Sequence, residues 1–107
     1  MLENCINVAN QYIKFRLAGD HYKILNLCTE DVILDSERDG VYSGKTELFE
    51  YLTKIKPSGK WESAQLLGTD KVSIQGIVSI LWMDWKVIAI FSYDRGKIKK
   101  IELKKQI

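Results

Sequence analysis

Two runs of alternating side chains, Lys71 to Trp82 and Trp85 to Tyr93, stand nearly end to end in this chain and constrain its fold most. In the first, Val72, Ile74, Gly76, Val78, Ile80 and Trp82 fall on one face. In the second, Trp85, Val87, Ala89, Phe91 and Tyr93 do. A period of two belongs to a strand with one buried face. Met83-Asp84 connects the two runs, and Asp94-Arg95-Gly96 leads to a last strand, Lys97 to Lys104, where Ile101 and Leu103 alternate. Connections this short allow only hairpins, and hairpins pair antiparallel. One more extended run, Lys60 to Leu67, is predicted after a break at Pro57-Ser58-Gly59.

The first half has a different period. Leu2, Cys5, Ile6, Ala9, Tyr12, Ile13 and Leu17 form one apolar stripe at helical spacing, widened by Val8 and Phe15. Gly19 ends this helix and Asp20 caps a second one, from about His21 to Leu27, with Ile24, Leu25 and Cys28 on its buried face. His21, at that helix start, is expected to be exposed.

Asp31 to Leu52 reads as strand, polar loop and helix. Val32, Ile33 and Leu34 suit a buried strand. Asp35 to Gly40 breaks it, and Leu48, Tyr51, Leu52 and Ile55 recur at helical spacing. The order αα-β-α-ββββ, with hairpins at the end, predicts an α+β fold of one domain over residues 1–107.

Composition narrows the function classes. A net charge of +2 is too small to argue for nucleic acid. The late basic residues Lys97, Lys99, Lys100, Lys104 and Lys105 fit an exposed edge strand. Cys5 and Cys28 form no disulfide framework, and the single His with no C-x-x-C leaves no common zinc pattern. No Gly-rich phosphate loop or Ser-His-Asp order is present, so no metal or cofactor is implied. No signal peptide or transmembrane run is seen, which makes a cytoplasmic protein without membrane partners the expectation.

The chain resembles the NTF2-like superfamily, in particular its SnoaL-like and ketosteroid-isomerase-like members. The resemblance is carried by Tyr12, Gly19-Asp20, Leu25 to Leu34, Gly44-Lys45-Thr46-Glu47-Leu48 and Phe91 to Ile98. It implies a cone, also called the cystatin-like fold: three helices packed on a curved antiparallel sheet, with a pocket between and frequent dimers. It does not imply one function, since this fold serves enzymes, transport factors and proteins with no known ligand. In the steroid isomerase pattern, a Tyr of the first helix matches Tyr12. The carboxylate base falls on Asp35 when counted back from Gly44 and on Ser36 when counted forward from Asp31. A second, protonated acid that helps hold the oxyanion in that isomerase, a worked case of a neutral carboxylic acid at neutral pH, falls on Ala89. The same reaction is therefore not expected here.

The pocket is predicted to be lined by Tyr12, Phe15, Arg16, Asp35, Trp61, Val78, Trp82, Ala89 and Phe91. The function expected first is binding of a small apolar molecule. An enzyme of the isomerase, hydrolase or dehydratase type comes next, with Asp35 as general base and Tyr12 as donor. A dimeric protein-interaction module is the third. Each site residue also has a plainer role: Asp35 as a turn-capping carboxylate, Tyr12 as core, Arg16 in an ion pair with Asp20 or Asp35, Glu37 to Asp39 as a solvated loop, and Trp61, Trp82 and Trp85 as filling of the cone. On the opposite sheet face, Ile77, Leu81, Ile88 and Ile90 predict a homodimer, since a half-apolar face is best covered by a second copy.

Overall fold

The computed structural model describes residues 2–55, 59–68, 70–80 and 82–106. The helices are α1 (Leu2–Ala18), α2 (His21–Asn26) and α3 (Gly44–Lys54). The strands are β1 (Cys28–Ser36), β2 (Gly40–Ser43), β3 (Lys60–Trp61), β4 (Gln65–Leu67), β5 (Lys71–Ile80), β6 (Met83–Asp94) and β7 (Lys97–Lys105). The strand order is β2-β1-β7-β6-β5-β3, with β4 also paired to β5. The three helices pack on one side of this curved, unclosed sheet, giving the predicted α+β architecture.

The core lies between helices and sheet. Ala9, Tyr12, Ile24, Leu48 and Leu52 meet Val32, Leu34, Val72, Ile74, Ala89, Phe91, Ile98 and Ile101, all buried. Asp20 caps α2 by accepting from the Lys23 N–H at 3.3 Å. The corner ahead of it is closed by the Asp20 N–H on the Phe15 carbonyl at 2.9 Å. Register shifts between Cys28 and Ile33 on β1, and between Ser92 and Tyr93 on β6, mark bulges. Bulges bend strands and raise twist, the local device for a curved sheet.

The structure corrects several local expectations. Cys28 opens β1 rather than ending a helix, and its thiol donates to the Ile24 carbonyl at 3.3 Å. The loop after β1 holds a strand of its own, β2, which pairs back on Ile33 to Ser36. The run Lys60 to Leu67 is two short strands, because the Ala64 N–H turns aside to bond Asn10 Oδ1 at 3.0 Å. The break before it is only partly visible, as Pro57 and Ser58 lie outside the described residues.

The first hairpin turns two residues earlier than expected. Ile80 pairs with Met83, and Ser79 pairs with Asp84, whose carboxylate accepts the Ser79 hydroxyl at 2.6 Å. Asp84 is thus a cross-strand partner, and Trp82 sits in the turn with φ 66°. The second hairpin turns through Arg95 and Gly96 at φ 52° and 83°, the left-handed pair that suits strand twist.

β7 is not an edge. It runs parallel to β1 on one side and antiparallel to β6 on the other, so its lysines protect no free edge. Edge protection is needed only where backbone groups lack a neighbour. Lys100 and Lys104 instead flank Glu102 at 4.0 and 3.6 Å. No helix among the described residues is long and apolar enough to cross a membrane.

Candidate functional site

A cavity of about 470 Å³ opens between α1, the end of α3 and the inner sheet face. Its apolar wall is built by Ile13 and Leu17 of α1, Ile55 just past α3, Trp61 of β3, Val78 of β5, Met83, Trp85 and Val87 of β6, and Leu103 of β7. Tyr12, Arg16, Ser36, Glu37, Arg38, Asp39 and Tyr51 contribute polar groups; at the far end of β7 the wall includes Lys105 and borders Lys104, whose side chain belongs to the outer face. Lys105 holds its ammonium 4.0 Å from the centre of the Trp85 ring, a cation–π contact.

The polar groups are organised by the β1–β2 turn. The Asp39 N–H donates to Ser36 Oγ at 3.0 Å, and the Ser36 hydroxyl donates to Asp39 Oδ2 at 3.2 Å. From α3, the Tyr51 hydroxyl donates to the same oxygen at 3.3 Å. Arg38 closes the carboxylate from outside, Nε to Oδ1 at 3.0 Å and Nη2 to Oδ2 at 3.3 Å. Burial, then the negative charge of Asp39, pushes the Tyr51 phenol up to about 12, so it is a neutral donor. Asp39 is therefore a walled-in acceptor and not part of a solvated loop; its side chain is 14% exposed. The readable signal was the Ser36-x-x-Asp39-Gly40 spacing, a side-chain-bonded turn.

Arg16 is buried beside this network. Its Nη1 donates to the Leu52 carbonyl at 3.1 Å and its Nη2 to the Ile55 carbonyl. Those carbonyls lie at the C-terminal end of α3, where a helix leaves its last acceptors to outside donors. The guanidinium carbon stands 5.5 Å from the centre of the Tyr51 ring. The expected ion pair with Asp20 or Asp35 is replaced by this helix cap, since Arg16 points across to α3. Tyr12, one turn earlier, packs edge-on against Phe91 with ring centres 5.3 Å apart. Burial drives its phenol well above the ordinary tyrosine range.

Of the residues expected at the pocket, Tyr12, Arg16, Trp61 and Val78 line the cavity. Asp35 does not. Along β1 the buried positions Val32, Leu34 and Ser36 alternate with Ile33 and Asp35, so Asp35 faces away and Ser36 faces in. Of the two positions expected from counting, Asp35 and Ser36, it is Ser36 that faces the cavity. Ala89 and Phe91 are core beneath the cavity, with no exposure at all. Phe15 stands under Lys23, whose ammonium is 5.4 Å from its ring centre. Trp82 is fully exposed because the turn carries it off the sheet face. His21 is half-buried, edge-on to Phe49 with ring centres 5.9 Å apart, rather than exposed. On the outer sheet face, Ile77 is 45% exposed while Ile88 and Ile90 are half-buried. Leu81 lies outside the described residues.

The sequence matches no protein-family model and no curated protein. Solved structures do resemble it. An NTF-2 like protein of unknown function from Burkholderia xenovorans LB400 has a TM-score of 0.78 at 18% identity, covering 97% of this chain and 84% of that one. An uncharacterised cystatin-fold protein from Novosphingobium aromaticivorans has a TM-score of 0.78 at 21% identity, with 94% and 97% covered. A candidate SnoaL-like polyketide cyclase from Jannaschia sp. CCS1 has a TM-score of 0.80 at 9% identity, with 97% and 86% covered. The chain has the NTF2-like, cystatin-like fold. At these identities the likeness speaks for the fold and not for an activity.

Proposed function

We propose that this protein binds a small, largely apolar molecule in the cavity of its cone. The supporting observation is the cavity itself: about 470 Å³ in volume, within the roughly 300–1,000 Å³ usual for small-molecule sites, apolar over most of its wall and polar at one end. Trp61 and Trp85 stand on its wall and do not fill it. A ligand screen read by thermal shift tests this. Hits should raise the melting temperature of the wild type, and Val78→Trp, which fills the cavity, should abolish the shift. Equal shifts in that variant would move the ligand elsewhere.

A second reading is an enzyme of the isomerase, hydrolase or dehydratase type. Asp39 supports it, as the less exposed of the two carboxylates on the cavity wall, Glu37 being the other, and the one that accepts the Tyr51 hydroxyl. One positioned base is worth ~10²–10⁴-fold in rate, so Asp39→Asn would remove most of any activity found. The outer sheet face is proposed to pair with a second copy. The exposed Ile77, beside Ile88 and Ile90, supports this. The apolar strip is confined to β5 and β6, because Lys100, Glu102 and Lys104 occupy the same face of β7.

A further inference from the structure

Arg16 lines the cavity while only 8% exposed. A guanidinium carries five N–H donors and keeps its charge at any ordinary pH. Two of its groups are bonded to the Leu52 and Ile55 carbonyls, which are neutral acceptors. The negative end of α3 is equivalent to roughly half an elementary charge, against the whole charge of the side chain. Among the described residues, no carboxylate oxygen lies within 4.0 Å of this guanidinium. Both acids on the cavity wall are engaged elsewhere: Asp39 is held by Arg38, and Glu37 Oε1 accepts the Lys105 N–H. A buried cation without a counter-charge is costly. An anion arriving from solution would remove that cost.

A second donor stands beside it. Tyr12, four residues before Arg16, faces the same cavity. Its hydroxyl has no hydrogen bond to a described residue. Burial holds that phenol in its protonated form. From these two residues we infer that the cavity takes an apolar molecule ending in a single carboxylate, held by the Arg16 guanidinium and the Tyr12 hydroxyl. Arg16 is the buried cation of the wall, since Arg38 is committed to Asp39 and Lys105 stands over Trp85, so one negative charge matches it and a phosphate dianion would outrun it. The inference rests on the apolar-ligand reading above and adds the charge of the ligand to it.

The test compares three ligands with one tail: decanoate, decanol and decylamine. Each is titrated into the intact protein and followed by tryptophan fluorescence, since Trp61 and Trp85 stand on the wall. Decanoate is expected to bind roughly tenfold or more tightly than decanol, as a charge-assisted bond allows, and decylamine weakest. Tyr12→Phe keeps the ring on Phe91 and should cut the decanoate-to-decanol ratio several-fold. Arg16→Gln should bring that ratio to about one. If Arg16→Gln does not fold, for want of its cap on α3, the wild-type series and Tyr12→Phe carry the test. Decanol bound as tightly as decanoate overturns the carboxylate assignment alone. Binding of none of the three overturns it together with the apolar-ligand reading.

Discussion

Trp61 lies directly on Gly76: a Cβ at position 76 would stand 2.4 Å from the Trp61 Cε3. The two are register partners on β3 and β5, so the indole crosses the strand where no side chain rises. The same indole is a wall of the cavity. Gly76→Ala should therefore force the ring aside and cost ~1–3 kcal/mol, the usual range for overpacking. Urea unfolding measures the loss, and a changed tryptophan emission maximum reports the displaced ring. A variant with both unchanged would mean that Trp61 is not held over Gly76 in solution.

The bond from Tyr51 to Asp39 gives a pH dependence. Below about pH 10 the phenol is protonated in the folded and the unfolded chain, and its contribution to stability is whole. Its folded value is raised to about 12, by burial first and by Asp39 next. Between these limits the unfolded chain loses its proton earlier, so stability falls as pH rises. Tyr51→Phe should flatten part of that fall, at a cost of ~1 kcal/mol at neutral pH for the lost hydrogen bond. Tyr12, Tyr93 and Cys28, all raised by burial, leave slope behind in the variant. Urea midpoints at pH 7 and from pH 10 to 12 measure both effects. An identical alkaline slope in the variant would place Tyr51 in water.

The outer face predicts an assembly. Sedimentation at micromolar concentration should give twice the chain mass of 12.4 kDa, and Ile88→Asp should give a folded monomer. Ile88 stands opposite Gln75 on β5 and Lys104 on β7, at the border of the apolar strip and the charged row. A carboxylate there is costly to bury in an apolar interface and lies on the face away from the core. A wild-type monomer would mean that Ile77 and Ile88 simply stay wet.

What the sequence determined by itself was whatever depends on local spacing. The stripe of α1, the Gly19-Asp20 corner, the alternation of β5 and β6 and the hairpin connection at Asp94-Arg95-Gly96 are all short-range, so composition and period suffice to place them. Even the two faces of β5 and β6 were legible: Val72, Ile74 and Phe91 are buried while Ile77 is not. What only the tertiary structure decided involves partners distant in the chain. β7 meets β1 in parallel, which no hairpin rule foretells, and this makes a central strand of an apparent edge. Arg16 reaches Leu52 and Ile55, and Tyr51 reaches Asp39, each across a long stretch of chain. One residue of register on β1 sets Ser36 inward and Asp35 outward, because successive side chains of a strand point to opposite faces. Spacing alone left that register open; pairing with β2 and β7 closed it.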